Sequence, residues 1–144
     1  MTDAAPRGPL RIHIDGGSRG NPGDAGFGVH VADAGGAVIA ELYGYLGRAT
    51  NNVAEYQALL HALRWATAHG ATEIAVFSDS ELVVRQIEGR YKVKHPDLRP
   101  LYEQARILLT RFARARVAHV PREENVEADR LANRALDERA SKLD

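Results

Sequence analysis

The chain has 144 residues, 44% of them hydrophobic and 26% charged, with a formal net charge of zero and no cysteine. That length suits one domain with its own core, and the missing cysteine excludes a disulfide framework and a thiolate metal centre. Residues 1–9 lack the apolar run of a signal peptide, and no stretch approaches the roughly 20 apolar residues of a membrane span, so a cytoplasmic protein that avoids membranes is expected.

Residues 10–15 alternate Leu10, Ile12 and Ile14 with Arg11, His13 and Asp15, the pattern of a half-buried strand. The glycine-rich stretch over 16–23 then predicts a turn without regular structure. Alternation resumes over 25–34, with Phe27, Val29 and Val31 on one face. Gly35 and Gly36 suit a tight hairpin, and 37–46 form the returning strand of a three-stranded meander. Over 51–69 the period becomes helical: Tyr56, Leu59, Leu60, Leu63 and Ala66 share a face, and Gly70 stands at the C-cap. Residues 74–77 are a short apolar strand of the kind buried at the centre of a sheet.

Ser80 is expected to cap a short helix through Ile87, stopped by Gly89. Pro96 and Asp97 open another helix, whose apolar residues are Leu98, Leu101, Ala105, Leu108, Leu109 and Phe112. A last strand over 117–120 precedes a final helix, capped by Asn125 and reaching about Leu136. The order βββαβααβα predicts an α/β fold, a mixed sheet with helices on it. One domain over 10–137 is expected, between a disordered N-terminal tail (1–9) and a C-terminal tail (138–144) that frays.

Zero net charge hides an uneven distribution. From Arg85 to Arg116 nine basic residues face three acidic ones, a local charge of +6 balanced by −6 elsewhere. A surface that attracts phosphates can coexist with an acidic site, because screening limits each field to about 10 Å. A solvated helix face explains the same run equally well.

Four acids stand at telling places. Asp15 ends the first strand, Glu55 lies early in the long helix, Asp79 ends the buried strand, and Asp129 lies in the last helix. Sites in α/β sheets collect at the carboxyl ends of strands, and Asp15 and Asp79 sit side by side there if their strands are neighbours and parallel, with Glu55 and Asp129 coming in from helices on the sheet. Four converged carboxylates repel one another unless hard divalent cations sit among them, and an all-oxygen site suits Mg²⁺ or Mn²⁺. Taken singly, each acid is also explained as a turn former, a strand end or a solvated helix residue.

In four stretches the chain resembles the ribonuclease H type 1 family. They are Ile14-Asp15-Gly16-Gly17-Ser18-Arg19-Gly20-Asn21-Pro22-Gly23, Thr50-Asn51-Asn52-Val53-Ala54-Glu55, Phe77-Ser78-Asp79-Ser80 and Asn125-Val126-Glu127-Ala128-Asp129-Arg130-Leu131-Ala132, in the family's order and spacing. The resemblance implies a ribonuclease H-like fold: a five-stranded mixed sheet, a three-stranded antiparallel meander plus two parallel strands, flanked by helices. It implies sequence-independent, metal-dependent cleavage of the RNA strand of RNA/DNA hybrids by a monomer, leaving 5′-phosphate and 3′-hydroxyl ends. Asp15, Glu55, Asp79 and Asp129 would bind two Mg²⁺ ions, with Mn²⁺ as a substitute. Gly16, Ser18 and Asn21 would approach the RNA, the last two at its 2′-hydroxyls. Asn51 and Asn52 would read base edges, and Arg48 and Thr50 would grip a DNA phosphate.

The chain departs from many members in two places. The loop before the last helix, Pro121-Arg122-Glu123-Glu124-Asn125, has no histidine. Arg122 stands there either as a contact to the scissile phosphate or as a structural salt bridge. The connection from Gly89 to Pro96 is too short for the extra helix and basic loop of larger members, so the chain is similar to compact ones, and cleavage of double-stranded RNA enters as a further activity. A non-catalytic hybrid-binding module and another nuclease of the same superfold remain alternatives. A small-molecule phosphotransferase would need a Gly-x-x-x-x-Gly-Lys phosphate loop, which the sequence lacks. The histidines other than His119 follow no metal-ligand spacing and are taken as structural.

Overall fold

A computed structural model of the chain describes residues 8–144; most of the expected N-terminal tail lies outside them. In chain order the elements are β1 (Leu10–Gly20), β2 (Gly23–Ala32), β3 (Val38–Ala49), α1 (Asn51–Ala68), β4 (Glu73–Ser78), α2 (Glu81–Ile87), α3 (Arg99–Leu109), β5 (Arg114–His119) and α4 (Val126–Glu138). They form one five-stranded sheet in the order β3-β2-β1-β4-β5. The β1, β2 and β3 strands are an antiparallel meander, and β4 and β5 add in parallel beside β1. This is the mixed sheet that the ribonuclease H resemblance implies.

The alternating residues do what their pattern requires. Leu10, Ile12 and Ile14 of β1 and Phe27, Val29 and Val31 of β2 are fully buried against α1. The α1 helix starts where Thr50 caps it, its hydroxyl accepting from the Val53 N–H at 3.2 Å. It ends at Gly70, whose φ of +75° suits a residue without a Cβ. The α4 helix covers the opposite sheet face, over β1, β2 and β3.

Several expectations are corrected. The glycine stretch is not irregular: β1 runs through Gly16 and Gly17 to Gly20, and β2 returns from Gly23, with Gly16 paired to Phe27 and Gly17 to Gly26. Backbone ladders need no side chains, and here two helices press so close that side chains would obstruct them. A Cβ on Gly16 would lie 2.3 Å from the Ala54 carbonyl, and one on Gly28 would lie 2.3 Å from the Ala128 carbonyl. The α3 helix begins at Arg99 rather than at Pro96, with Pro100 in its first turn where no N–H is missed, and Phe112 is buried beyond its end.

Asn125 occupies the position before α4, but its side chain caps nothing there. Beyond α4 the chain returns to the sheet: Lys142 exchanges backbone hydrogen bonds with Tyr43 of β3 at 2.8 and 2.9 Å, and the Ser141 hydroxyl accepts from the Tyr45 N–H. No helix among the described residues is long and apolar enough to cross a membrane.

Candidate active site

Asp15 does not end its strand, which runs on to Gly20; parallel pairing of Ile14 with Ser78 sets it, mid-strand, beside Asp79, the residue that follows the end of β4. Glu55 arrives from α1, which lies close because position 16 is glycine; the Gly16 N–H donates to its carboxylate. Asp129 arrives from the first turn of α4 on the other face, within hydrogen-bond reach of the Asp15 side chain. Asp15, Glu55 and Asp79 each offer a carboxylate oxygen within 4.8 Å of the others. All four acids line one open cleft of about 460 Å³.

The electrostatics follow from this crowding. Burial, then the charges of Asp79 and Asp129, push the Asp15 carboxyl up from 3.8 to about 8. Glu55, only 6% exposed, is raised well above its ordinary range by burial and by Asp15 and Asp79; the Gly16 N–H and the Ser80 hydroxyl oppose the rise. Among the described residues no cation offsets the charges of Asp15 and Glu55, although Arg19 and Arg122 line the cleft around them. The cluster's donors are all hard oxygens, so its chemistry fits a hard divalent cation and not a thiolate-seeking one.

Gly16, Ser18, Asn51 and Arg122 line the same cleft. Asn51 orders its rim: its side-chain oxygen accepts from the Ser18 N–H at 2.8 Å and hydroxyl at 3.2 Å, and its own N–H donates to the Asn21 side chain at 3.1 Å. Asn52 is half-buried in the first turn of α1. Arg48 and Thr50 lie apart from the acids, in a neighbouring hollow with Gln57 and Asp97. Arg48 is its cation, and Asp97 works against an anion there.

Arg122 stands on a 3₁₀ turn (Arg122–Glu124) and makes no ion pair among the described residues, so the salt-bridge reading fails. Sequence reasoning passed over Asn133 and Arg19, which also line the cleft, Arg19 in an ion pair with Asp137 at 2.6 Å. Asn133 stands one helical turn after Asp129, a spacing that could have pointed to it.

His30 lies with Glu41 and Glu127 in a second group of donor atoms within 4.8 Å of one another. Arg130 already bridges both of those carboxylates, so the group is a complete ion-pair network.

A family described as reverse transcriptase-like matches residues 13–135. The chain is 56% identical over 127 residues to the bifunctional protein Rv2228c of Mycobacterium tuberculosis, covering 88% of this chain and 35% of that protein, so it spans about a third of that relative's length. The solved N-terminal RNase H domain of that protein superposes with a TM-score of 0.87 at 54% identity, over 90% of this chain and 94% of the other. RNase H1 of the archaeon Halobacterium salinarum gives 0.88 at 45% identity, over 91% and 99%. LC11-RNase H1, solved in complex with an RNA/DNA hybrid, gives 0.86 at 41% identity, over 90% and 98%. With its fold matched over nine-tenths of its length and its four acids at one cleft, the chain belongs to the reverse transcriptase-like family, among its ribonuclease H type 1 members.

Proposed function

We propose that this chain is an endonuclease that hydrolyses the RNA strand of RNA/DNA hybrids, independent of sequence. The observation that carries the reading is the meeting of Asp15, Glu55, Asp79 and Asp129, from four separate segments, in a cleft rimmed by backbone and amide groups. The relative solved with a hybrid, LC11-RNase H1, supports the substrate class.

In this reading the four acids hold two Mg²⁺ ions, or Mn²⁺ in their place. Such ions supply the Lewis acidity that activates a water and stabilises the departing oxygen. Asp15, within β1, and Asp79, just past the end of β4, stand side by side between the helices bearing Glu55 and Asp129 and would hold the ions together with them. Water adds to phosphorus as the bond to the 3′ oxygen breaks, so that the new oxygen stays on a 5′-phosphate and the leaving group gains a proton as a 3′-hydroxyl.

The chain's remaining groups bind and orient. Gly16 lets the strand backbone approach the RNA, and the Ser18 hydroxyl and the Asn21 amide meet 2′-hydroxyls, the group that separates RNA from DNA. Asn51 and Asn52 face base edges in the minor groove. Arg48 and Thr50 hold a phosphate of the DNA strand in their hollow, and Arg122 reaches the phosphate being cut.

The test is cleavage of end-labelled RNA as a hybrid with DNA, as duplex RNA and as a single strand, each with Mg²⁺, Mn²⁺ or chelator. Metal-dependent cutting of the hybrid is expected, with 5′-phosphate products. Duplex RNA is an arm because no further helix lies between α2 and α3 to grip the DNA strand. A folded, metal-supplied protein that binds the hybrid without cutting it would make the chain a binding module.

Asn51→Ala should raise KM for the hybrid about tenfold, equivalent to roughly 1.4 kcal/mol, with a much smaller change in kcat. Both the base-edge contact and the ordering of Ser18 go with the amide. Steady-state kinetics with unchanged KM and kcat would remove Asn51 from the binding surface.

A further inference from the structure

Asn125 is a polar side chain with no exposure to solvent. It precedes α4, where asparagine is favoured because its side-chain oxygen can accept from the first free N–H groups of the helix. It makes no such bond. Its side-chain nitrogen instead donates to the Ile14 carbonyl at 2.8 Å, across 111 residues of sequence. Its side-chain oxygen is buried without a partner. An orphaned buried acceptor costs about 1–3 kcal/mol, which the bond to the Ile14 carbonyl offsets, and helix capping does not explain the arrangement.

The partners of Asn125 suggest what the arrangement does. The Ile14 carbonyl and the Asp15 N–H share one rigid peptide plane, so a hold on that carbonyl fixes the point from which the Asp15 side chain hangs. The backbone carbonyl of Asn125 accepts from the Asp129 N–H at 3.1 Å, and its N–H donates to the Arg122 carbonyl at 3.0 Å. One residue thus joins the strand bearing Asp15 to the helix start bearing Asp129 and to the turn bearing Arg122. The isosteric aspartate would lack the donor for the Ile14 carbonyl and would bury a further negative charge.

We infer that Asn125 is a positioning residue for the metal cluster: its amide tethers β1 to α4 and so sets the separation of Asp15 and Asp129. The inference rests on the metal-dependent reading of the cleft. Groups hydrogen-bonded to metal ligands typically hold about 10- to 100-fold of metal affinity; Asn125 acts one peptide removed, through its amide on the backbone before Asp15 and through its main chain on the start of α4.

The test measures Mn²⁺ binding calorimetrically, without substrate, on the wild type, Asn125→Ala and Asn125→Val. Ala leaves a cavity and Val nearly fills it, so the two should differ in Tm. Both should bind Mn²⁺ at least about tenfold more weakly. The Mn²⁺ concentration for half-maximal cleavage should rise in parallel, with KM for the hybrid unchanged. Wild-type Mn²⁺ affinity in either folded variant would overturn the inference, as would losses that track Tm across the pair. Failure of both variants to fold would assign Asn125 to the fold alone. A wild type that binds no Mn²⁺ would overturn the metal reading itself, and this inference with it.

Discussion

Replacing Asp15 by asparagine should abolish cleavage of an RNA/DNA hybrid, a loss of at least about 10³-fold, while making the metal-free protein more stable at pH 8. The first half follows from the place of Asp15 between Asp79 and Asp129. The second follows from its proton. The folded carboxyl titrates near 8 and the unfolded one near 3.8, so between those values the folded state holds a proton that the unfolded state has lost. Stability from this group is therefore complete below about pH 4 and is lost as pH rises towards 8.

The loss is on the order of 5 kcal/mol at its largest. An asparagine amide cannot ionise and escapes it. In chelator at pH 8 the variant should melt roughly 5–15 °C above wild type, and at pH 5 the two should nearly coincide. Divalent metal should close the gap at pH 8, because it stabilises only the chain that binds it. Thermal melts at the two pH values, with and without Mn²⁺, measure all of this; a wild-type rate in the variant would sink the assignment of Asp15.

The second large effect is expected at Gly16. An alanine methyl would sit 2.3 Å from the carbonyl of Ala54 and 2.5 Å from the nitrogen of Glu55, both backbone atoms of α1 that cannot turn aside. The helix must move off β1 and carry Glu55 with it. Gly16→Ala should cost about 3 kcal/mol of stability and more than about 100-fold in kcat. The neighbouring Gly17→Ala is the control, since its methyl meets nothing closer than the Asn51 side chain at 3.7 Å. Denaturant melts and single-turnover rates on the pair check the argument; equal behaviour of the two would refute it.

These two positions also show what could be read from the sequence and what could not. Asp79 was legible because a buried parallel strand has few places for a carboxylate other than its end, whereas Asp15, expected at a strand end, stands within β1 and meets Asp79 because β4 stops beside it. The strand through Gly16 and Gly17 was not legible. Glycines signal a turn by local propensity, whereas here they extend a ladder whose faces are occupied by other backbone, a fact of tertiary packing. Asn125 failed in the same way. Its type and place predict a cap, and the competing acceptor at Ile14 is distant in sequence. The start of α3 slipped by a few residues because Pro96 and Pro100 both suit a helix entrance.

The α4 helix lies over β1, β2 and β3, and it alone brings Asp129 to the cleft. A ribosome releases Asp15, Glu55 and Asp79 first and Asp129 last. Until α4 docks, a growing chain therefore has a partial set of acids on an uncovered sheet face. The proposed site is complete only once α4 has docked.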